Sequence, residues 1–266
     1  PKEYRRLAKL AEQFHNQLDL VMGYGGFFGF FAKLLLLGMN FLHDIFKFGY
    51  GMAIIAITVI IKLCFWPLTQ ASTRSMKRMQ ALQPQMKAIQ EKYKDDPAKM
   101  NRKMMEFMRE HKVSPLGGCL PMLLQIPVFF GFFKMIRSAI ELRGAGFLWV
   151  ADLSQPDTLF MIPGTHFPFN LLPLIMGATM LIQARLTPAS PGMDPVQQKM
   201  MRYMPLMFLV ILYNYSAGLT LYWTVQNLLT ILQTKLTKMN DPEPAHGTNP
   251  APALPKRPVK RARRKG

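Results

Sequence analysis

Lys62 is the residue of this sequence whose chemistry is hardest to explain by packing alone. It lies inside the apolar stretch from Gly51 to Leu68, which contains neither Asp nor Glu. If the stretch crosses a bilayer, a lysine within it costs about 2.5–3.5 kcal/mol, and such residues mark function by default. We therefore predict a hydrated cavity around Lys62. The alternative is that its side chain snorkels to the nearby headgroups.

Other polar side chains lie in apolar stretches at helical spacing. Thr58 is one turn before Lys62, and Thr179 and Gln183 share one face of their segment. The remaining candidates are Gln125 and the stripe Thr220, Trp223, Thr224 and Asn227. Together with Lys62 these residues line one groove, or else they form hydrogen bonds between helices. The sequence leaves both interpretations open.

Composition places these residues in a membrane. Only 18% of the residues are charged, 50% are hydrophobic, and the charges are concentrated between long apolar stretches. We discount a nucleic-acid explanation of the net charge of +18 for most of the chain, because basic residues commonly flank spans. The predicted fold is all-α, a polytopic bundle. Its five predicted spans are Gly51–Leu68, Leu116–Ile136, Phe169–Gln183, Tyr203–Tyr215 and Ala217–Leu236.

The stretch Tyr24–Leu42 is apolar enough to be a sixth span, but Lys33 lies in its middle. An amphipathic helix in the membrane interface is the other interpretation, and we favour it. We accordingly predict an external N-terminal segment with an interfacial helix (1–48), a five-span core (49–236) and a basic tail (237–266).

The distribution of Lys and Arg predicts the orientation. Gln70–Val113 carries eleven of them, Ala184–Arg202 three and the tail from Lys235 nine. The segment Arg137–Phe167 carries two, against three acidic residues. Since basic loops stay in the cytoplasm, we predict an external N-terminus and a cytoplasmic C-terminus.

The first basic segment, 70–113, is predicted to form a helical hairpin. Met79, Leu82, Met86, Ile89 and Tyr93 share one helical face, and Asp95-Asp96-Pro97 is typical of a helix start. Its methionines include Met79, Met86, Met104 and Met108. They form either the hairpin core or an adaptable surface for apolar partners.

The tail is rich in Pro, Ala and charge, so it is expected to be disordered. Its basic residues Lys260, Arg261, Arg263 and Arg264 suit ribosomal RNA or anionic lipid. A solvated tail that only fixes topology is the alternative.

Other classes of function find little support in the sequence. Cys64 and Cys119 have no nearby His, so we expect no metal site and no cofactor. A small transporter or channel is the main alternative, but it would call for paired intramembrane charges and an internal repeat, which we do not find. An intramembrane enzyme would need a catalytic motif that the sequence lacks.

Five stretches resemble the YidC family of insertases, in order, over about residues 20–236. They are Gly49–Thr69, the Leu82-Gln83-Pro84 break, Ser114–Phe129, Asp194–Met201 with Met204-Pro205, and Ser216–Gln233. Ser114–Phe129 is the most specific of these. The resemblance is to the bacterial form, without its first anchor helix and external domain.

The resemblance implies a non-enzymatic insertase and chaperone of the bacterial inner membrane, which acts on nascent membrane proteins. It implies a groove open to the cytoplasm and to lipid, with one basic residue inside. Lys62 takes that position, where many bacterial members have Arg, and Tyr222-Trp223 takes the place of two aromatic residues. The ribosome and the Sec translocation channel are further expected partners.

Overall fold

The computed structural model describes residues 4–14, 25–111, 113, 120–164, 166–186 and 195–240. This part of the chain is mostly helical, which agrees with the predicted fold class. Its α-helices are α1 (Tyr4–Gln13), α2 (Gly26–Phe46), α3 (Tyr50–Cys64), α4 (Trp66–Ala81), α5 (Gln83–Lys92), α6 (Pro97–Glu110), α7 (Leu120–Ser138), α8 (Leu171–Leu186), α9 (Pro195–Leu212) and α10 (Ala217–Asn240).

Two short strands depart from the purely α prediction. β1 (Thr158–Met161) pairs antiparallel with β2 (Pro168–Asn170), with Thr158 opposite Asn170 and Met161 opposite Pro168. The connection contains Pro163-Gly164, and Gly164 adopts a φ of 80°, a conformation that suits glycine. A 3-10 turn, Ile140–Leu142, follows α7. We call the end of the bundle formed by residues 140–170 the strand end, and the end formed by α4, α5 and α6 the hairpin end.

α10 is the central helix of the bundle. It packs against α3 and α8, and makes smaller contacts with α4 and α7, while α2 packs against α7 and α3. One continuous hydrophobic core joins these helices, with Leu36, Met39, Ile54, Phe132 and Met176 fully or almost fully buried. The contact of α3 with the loop at Phe147 depends on a small residue. A Cβ on Gly51 would collide with the ring of Phe147.

Length and composition identify fewer spans among the described helices than the five predicted from the apolar stretches of the sequence. Among the described helices, α2 is long and apolar enough to cross a membrane, with 21 residues and a mean hydropathy of 1.4. α3 qualifies only together with the first part of α4, from which it is bent by 61°. α8 and Tyr203–Leu212 are shorter apolar helices. The five-span arrangement therefore stays a prediction.

The first predicted span, Gly51–Leu68, crosses this bend. α3 ends at Cys64 and α4 begins at Trp66, with Pro67 in its first turn. Proline has no N–H to donate and clashes with the preceding turn, so a straight helix through this position is unfavourable. The bend lies one turn after Lys62.

α2 has one buried face and one exposed face. Ala32, Leu36 and Met39 are buried, whereas Phe27, Phe30 and Leu34 are exposed. An exposed apolar face suits lipid in either arrangement, so the choice between an interfacial and a spanning α2 stays a prediction.

Candidate functional site

A row of polar side chains runs along α10 toward the hairpin end. Tyr222, Gln226, Thr230, Gln233 and Thr237 follow one another at intervals of three or four residues, which places them on one helical face. Tyr222, Gln233 and Thr237 are buried, and the other two are half-buried. We call these five residues the α10 polar row.

Lys62 contacts this row from the last turn of α3. Its side chain is only 7% exposed. The ammonium donates a hydrogen bond to Thr230 Oγ1 at 2.8 Å, and the Thr230 hydroxyl donates to the Gln226 carbonyl at 2.7 Å. The amine is therefore directed at α10, within the bundle. The choice between a hydrated cavity and a side chain that snorkels to the headgroups stays a prediction.

The Lys62 ammonium is not neutralised by an acidic side chain in the described part of the chain. Thr230 is the hydrogen-bond partner that this part provides, and no carboxylate there lies within ion-pair distance. An ammonium carries three N–H donors, so two of them are available for water or a bound chain. Because a buried unpaired charge is costly, such additional acceptors would stabilise it. The hydrated cavity itself stays a prediction.

Gln125 joins α7 to the α10 polar row. Gln226 Nε2 donates to Gln125 Oε1 at 2.7 Å, and Gln125 Nε2 donates to the hydroxyl of Tyr222. The Tyr222 ring stacks on Phe132, with ring centroids 4.0 Å apart. The predicted site residues Gln125 and Tyr222 thus come together, linked to Lys62 through Gln226 and Thr230.

The other predicted polar residues lie close to the row but have different partners. Thr179 accepts a hydrogen bond from Asn227 Nδ2 at 3.2 Å and donates to the Met176 carbonyl. Gln183 is half-buried one turn further along α8. Thr58 is buried and donates to the Ile54 carbonyl of its own helix at 2.6 Å. These contacts support the interhelical hydrogen-bond interpretation for Asn227 and Thr179.

Trp223 packs against the aromatic rings of Phe129 and Phe208. Its ring is half-buried, edge-to-face with Phe129 at 4.8 Å and tilted against Phe208 at 5.5 Å. It therefore joins α10 to α7 and α9 by aromatic packing. Trp223 and Tyr222 thus contact different ring partners, although they are adjacent in sequence.

Sequence reasoning missed four residues of the site. They are Gln226, Thr230, Gln233 and Thr69, and Gln233 Nε2 donates to Thr69 Oγ1 at 2.5 Å. The signal was available, because three of them continue the spacing that starts at Tyr222. The predicted stripe of Thr220, Trp223, Thr224 and Asn227 is offset by one or two residues from this row.

Four methionines of the hairpin are buried, whereas Met105 is 60% exposed. Met79, Met86, Met104 and Met108 form a small core with Val113, flanked by Leu82, Ile89 and Phe107. Asp96 caps α6 by accepting a hydrogen bond from the Lys99 amide at 3.0 Å, as its motif predicts. The burial favours the hairpin-core interpretation of these methionines. A role in substrate contact would require the hairpin to open, and it stays a prediction.

The strand end closes the bundle opposite the hairpin. The amides of Ala217 and Gly218 donate to the carbonyls of Gln155 and Leu153 at 2.7 and 2.8 Å, which satisfies the start of α10. Asp157 Oδ2 accepts from the Leu172 amide at 2.6 Å and so caps α8. Leu142, Val150 and Leu153 are buried in the main core.

Asp152 is a further polar feature of the strand end. Burial alone would raise the pKa of its carboxyl, but hydrogen bonds from Ser154 and the Gly144 amide hold that pKa below its ordinary value. Asp152 Oδ1 accepts from the Ser154 amide at 2.8 Å. The ionised carboxylate thus helps to fix the loop that covers the bundle.

Two sets of predicted residues lie outside the described part of the chain. Lys260, Arg261, Arg263 and Arg264 belong to residues 241–266, and Cys119 belongs to 114–119. Their predicted roles remain predictions.

Comparison with known proteins identifies the class. The 60Kd inner membrane protein family matches residues 41–243, which is well over half of the chain. The chain belongs to this family.

Relatives give the class a more specific name. The chain is 51% identical to "Membrane protein insertase YidC" of Geobacter sulfurreducens over 209 residues, 78% of this chain and 37% of the relative. It is 48% identical to the protein of the same name from Pelobacter propionicus over 235 residues, 88% of this chain and 42% of the relative. The chain thus spans about two fifths of the length of these relatives.

A solved structure agrees in fold. It is titled "Active YidC insertase crystal structure with the first transmembrane domain resolved", and it matches with a TM-score of 0.58 and 27% identity. The match covers 84% of this chain and 51% of the solved one. The family resemblance seen in the sequence motifs is therefore confirmed.

Proposed function

We propose that this chain is the core of a membrane protein insertase, which moves nascent membrane proteins from the cytoplasm into the bilayer. Membership of the family supports the class of activity. The observation that carries the mechanism is the buried Lys62 ammonium, bound to Thr230 and without a carboxylate partner in the described residues. The proposed activity comes from the relatives' names. Lys62 provides a physical mechanism for it, because its charge and N–H donors lower the cost of moving a polar segment into the bilayer.

The mechanism lowers the cost of desolvation. A polar flank of a nascent span must leave water to cross the bilayer, and each unsatisfied group in hydrocarbon costs several kcal/mol. Lys62 offers free N–H donors and a positive charge part of the way across. Acidic flanks gain most, since their carboxylates pair with the ammonium. The closed strand end and the polar row toward the hairpin end suit a groove that opens on the cytoplasmic side.

A lysine at this position restricts the kind of recognition. An ammonium is a compact point charge on a flexible stem, whereas guanidinium presents a planar fork. We therefore expect attraction of acidic segments without a fixed bidentate geometry. A substrate carboxylate would be held by charge and would be released readily.

Entry and exit follow from the same arrangement. We place the hairpin of residues 70–113 and the tail of residues 237–266 in the cytoplasm and β1–β2 outside, in a bacterial inner membrane. The basic tail suits the ribosome by pairing with RNA phosphates. The apolar part of the substrate leaves sideways into lipid past the exposed faces of α3 and α9. Cooperation with the Sec channel belongs to this proposal.

The test is insertion by purified protein in vesicles, with a substrate that carries an acidic flank and a matched substrate with a neutral flank. Lys62→Ala is expected to reduce insertion of the acidic substrate about tenfold, because one charge-assisted interaction is lost. Lys62→Arg retains the charge and is expected to insert both substrates.

Lys9→Ala is the matched control, since it removes an exposed lysine from α1 and leaves the bundle intact. Equal insertion of both substrates by wild type, Lys62→Ala and Lys62→Arg would remove the role given to Lys62. Insertion lost equally for both substrates would show a general defect in place of charge recognition.

A further inference from the structure

A cavity separate from the α10 polar row lies between α2 and α7. Its volume is about 400 Å³, and it is an open cleft on the surface of the bundle. Phe28 from α2 lines one side, and α7 contributes Phe130, Phe133, Lys134, Arg137 and Ser138. Lys62 does not line it. The cavity opens near the start of α2 and the last turns of α7.

The polar part of this lining is cationic. Lys134 and Arg137 are one helical turn apart on α7, so both charges face the same space. Neither has a carboxylate within ion-pair distance in the described part of the chain. Lys134 Nζ donates to the Gly25 carbonyl at 3.3 Å, which uses one of its three donors and holds it at the start of α2. Two adjacent uncompensated cations favour an anion.

The rest of the lining is aromatic. The rings of Phe28 and Phe130 are 5.0 Å apart between centroids and join the two helices. Arg137 Cζ lies 5.4 Å from the centre of the Phe133 ring, a cation–π contact that orients the guanidinium. Both Phe28 and Phe130 keep exposed surface beside the cavity. An anion bound here would therefore carry an apolar group that continues over these rings.

We propose that this cavity binds the phosphodiester headgroup of an anionic phospholipid, with its acyl chains along Phe28 and Phe130. The guanidinium and the ammonium donate to the phosphate oxygens, and the single negative charge of the phosphodiester lowers the net charge of the cavity from +2 to +1. A zwitterionic headgroup would bring a third cation to the same space. This site concerns lipid and is independent of the groove at Lys62, so either proposal can fail without the other.

The test is native mass spectrometry of the full chain released from bilayers with equal amounts of phosphatidylglycerol and phosphatidylcholine. Wild type is expected to retain phosphatidylglycerol. Arg137→Gln is expected to weaken that retention about tenfold, since charge-assisted hydrogen bonds to phosphate are lost. Arg137→Lys keeps the charge and is expected to recover most of it.

Arg143→Gln is the matched control, because it removes the same charge from an exposed position outside the cavity. Lys134→Gln provides a second, independent variant if Arg137→Gln does not fold. Equal losses in Arg137→Gln and Arg143→Gln would overturn the proposal. So would equal retention of the two lipids, or release of the lipid by inorganic phosphate at the headgroup concentration.

Discussion

Thr230 has two opposite roles at a single oxygen atom. It accepts from the Lys62 ammonium and donates to the Gln226 carbonyl, so its hydroxyl joins α3 to the backbone of α10. Without it, the described part of the chain would leave the buried ammonium without a protein acceptor. The stabilisation of the buried Lys62 charge therefore depends on Thr230, a residue that the motifs did not single out.

We expect Thr230→Val to lower the free energy of unfolding by about 1–3 kcal/mol, the cost of leaving a buried charged donor unsatisfied. The measurement is unfolding in mixed detergent micelles. Thr234→Val is the matched control, since the Thr234 hydroxyl donates only to the Thr230 carbonyl of its own helix among the described contacts. In a Lys62→Met background the Thr230 substitution should cost less, and equal costs in both backgrounds would contradict the pairing.

At this scale the sequence identified residue types better than it identified partners. Lys62, Gln125 and Tyr222 were predicted site residues, and the structure links them. Gln226 and Thr230, which make the links, were missed because the azimuth of α10 relative to α3 and α7 depends on packing across the whole bundle. Thr58 had the right spacing from Lys62, yet its hydroxyl donates to its own helix. Polar residues in helices often bond their own backbone in this way, and spacing alone does not exclude it.

At the scale of elements, the contact between α3 and the strand end depends on the absence of a side chain at Gly51. The Phe147 ring occupies the space that a Cβ would need. Gly49, two residues earlier, has open space at the same position. The two glycines therefore allow the contact to be tested within one helix start.

We expect Gly51→Ala to destabilise the protein by roughly 1–3 kcal/mol, because a methyl group forced against a ring displaces it. The measurement is Tm in detergent micelles, which should fall by several degrees. Gly49→Ala should change Tm much less. If both substitutions lower Tm equally, helix-start propensity and not the Phe147 contact would explain the loss.

The elements were predictable to different degrees. α8 and α10 begin within two residues of the predicted spans, because long apolar segments bounded by turn residues are strong signals. The predicted first span, Gly51–Leu68, includes the bend between α3 and α4. Hydropathy does not reveal this bend, since it continues through Phe65 and Trp66 while Pro67 changes the direction of the backbone. β1 and β2 were missed because their four and three residues show no clear alternation.

At the scale of the whole molecule, the five-span prediction rests on the apolar stretches and its orientation rests on the distribution of Lys and Arg, and the arrangement is open to a direct test. With both native cysteines replaced by serine, an impermeant maleimide should label Glu91→Cys in α5 only from the cytoplasmic side. It should label Leu159→Cys in β1 only from the outside. Both positions are exposed. Labelling of both from one side would contradict the predicted orientation.

Lys9→Cys in α1 extends this experiment, because its labelling shows whether α2 lies in the interface or crosses the bilayer. If α2 lies in the interface, α1 is external and Lys9→Cys is labelled together with Leu159→Cys. If α2 crosses the bilayer, Lys9→Cys is labelled together with Glu91→Cys. We expect the first result.

The bend after Lys62 has a mechanical consequence for the molecule. α3 and the first part of α4 meet at 61°, and just beyond this joint Thr69 accepts a hydrogen bond from Gln233 of α10. Lys62, one turn before the joint, is bound to Thr230 of the same helix. α10 thus forms one hydrogen bond to the chain before the bend and one after it. A force that pulls on the hairpin acts on the hydrogen bond between Gln233 and Thr69 first. The hydrogen bond of Lys62 to Thr230 therefore bears that force only after the bond at Thr69 has broken.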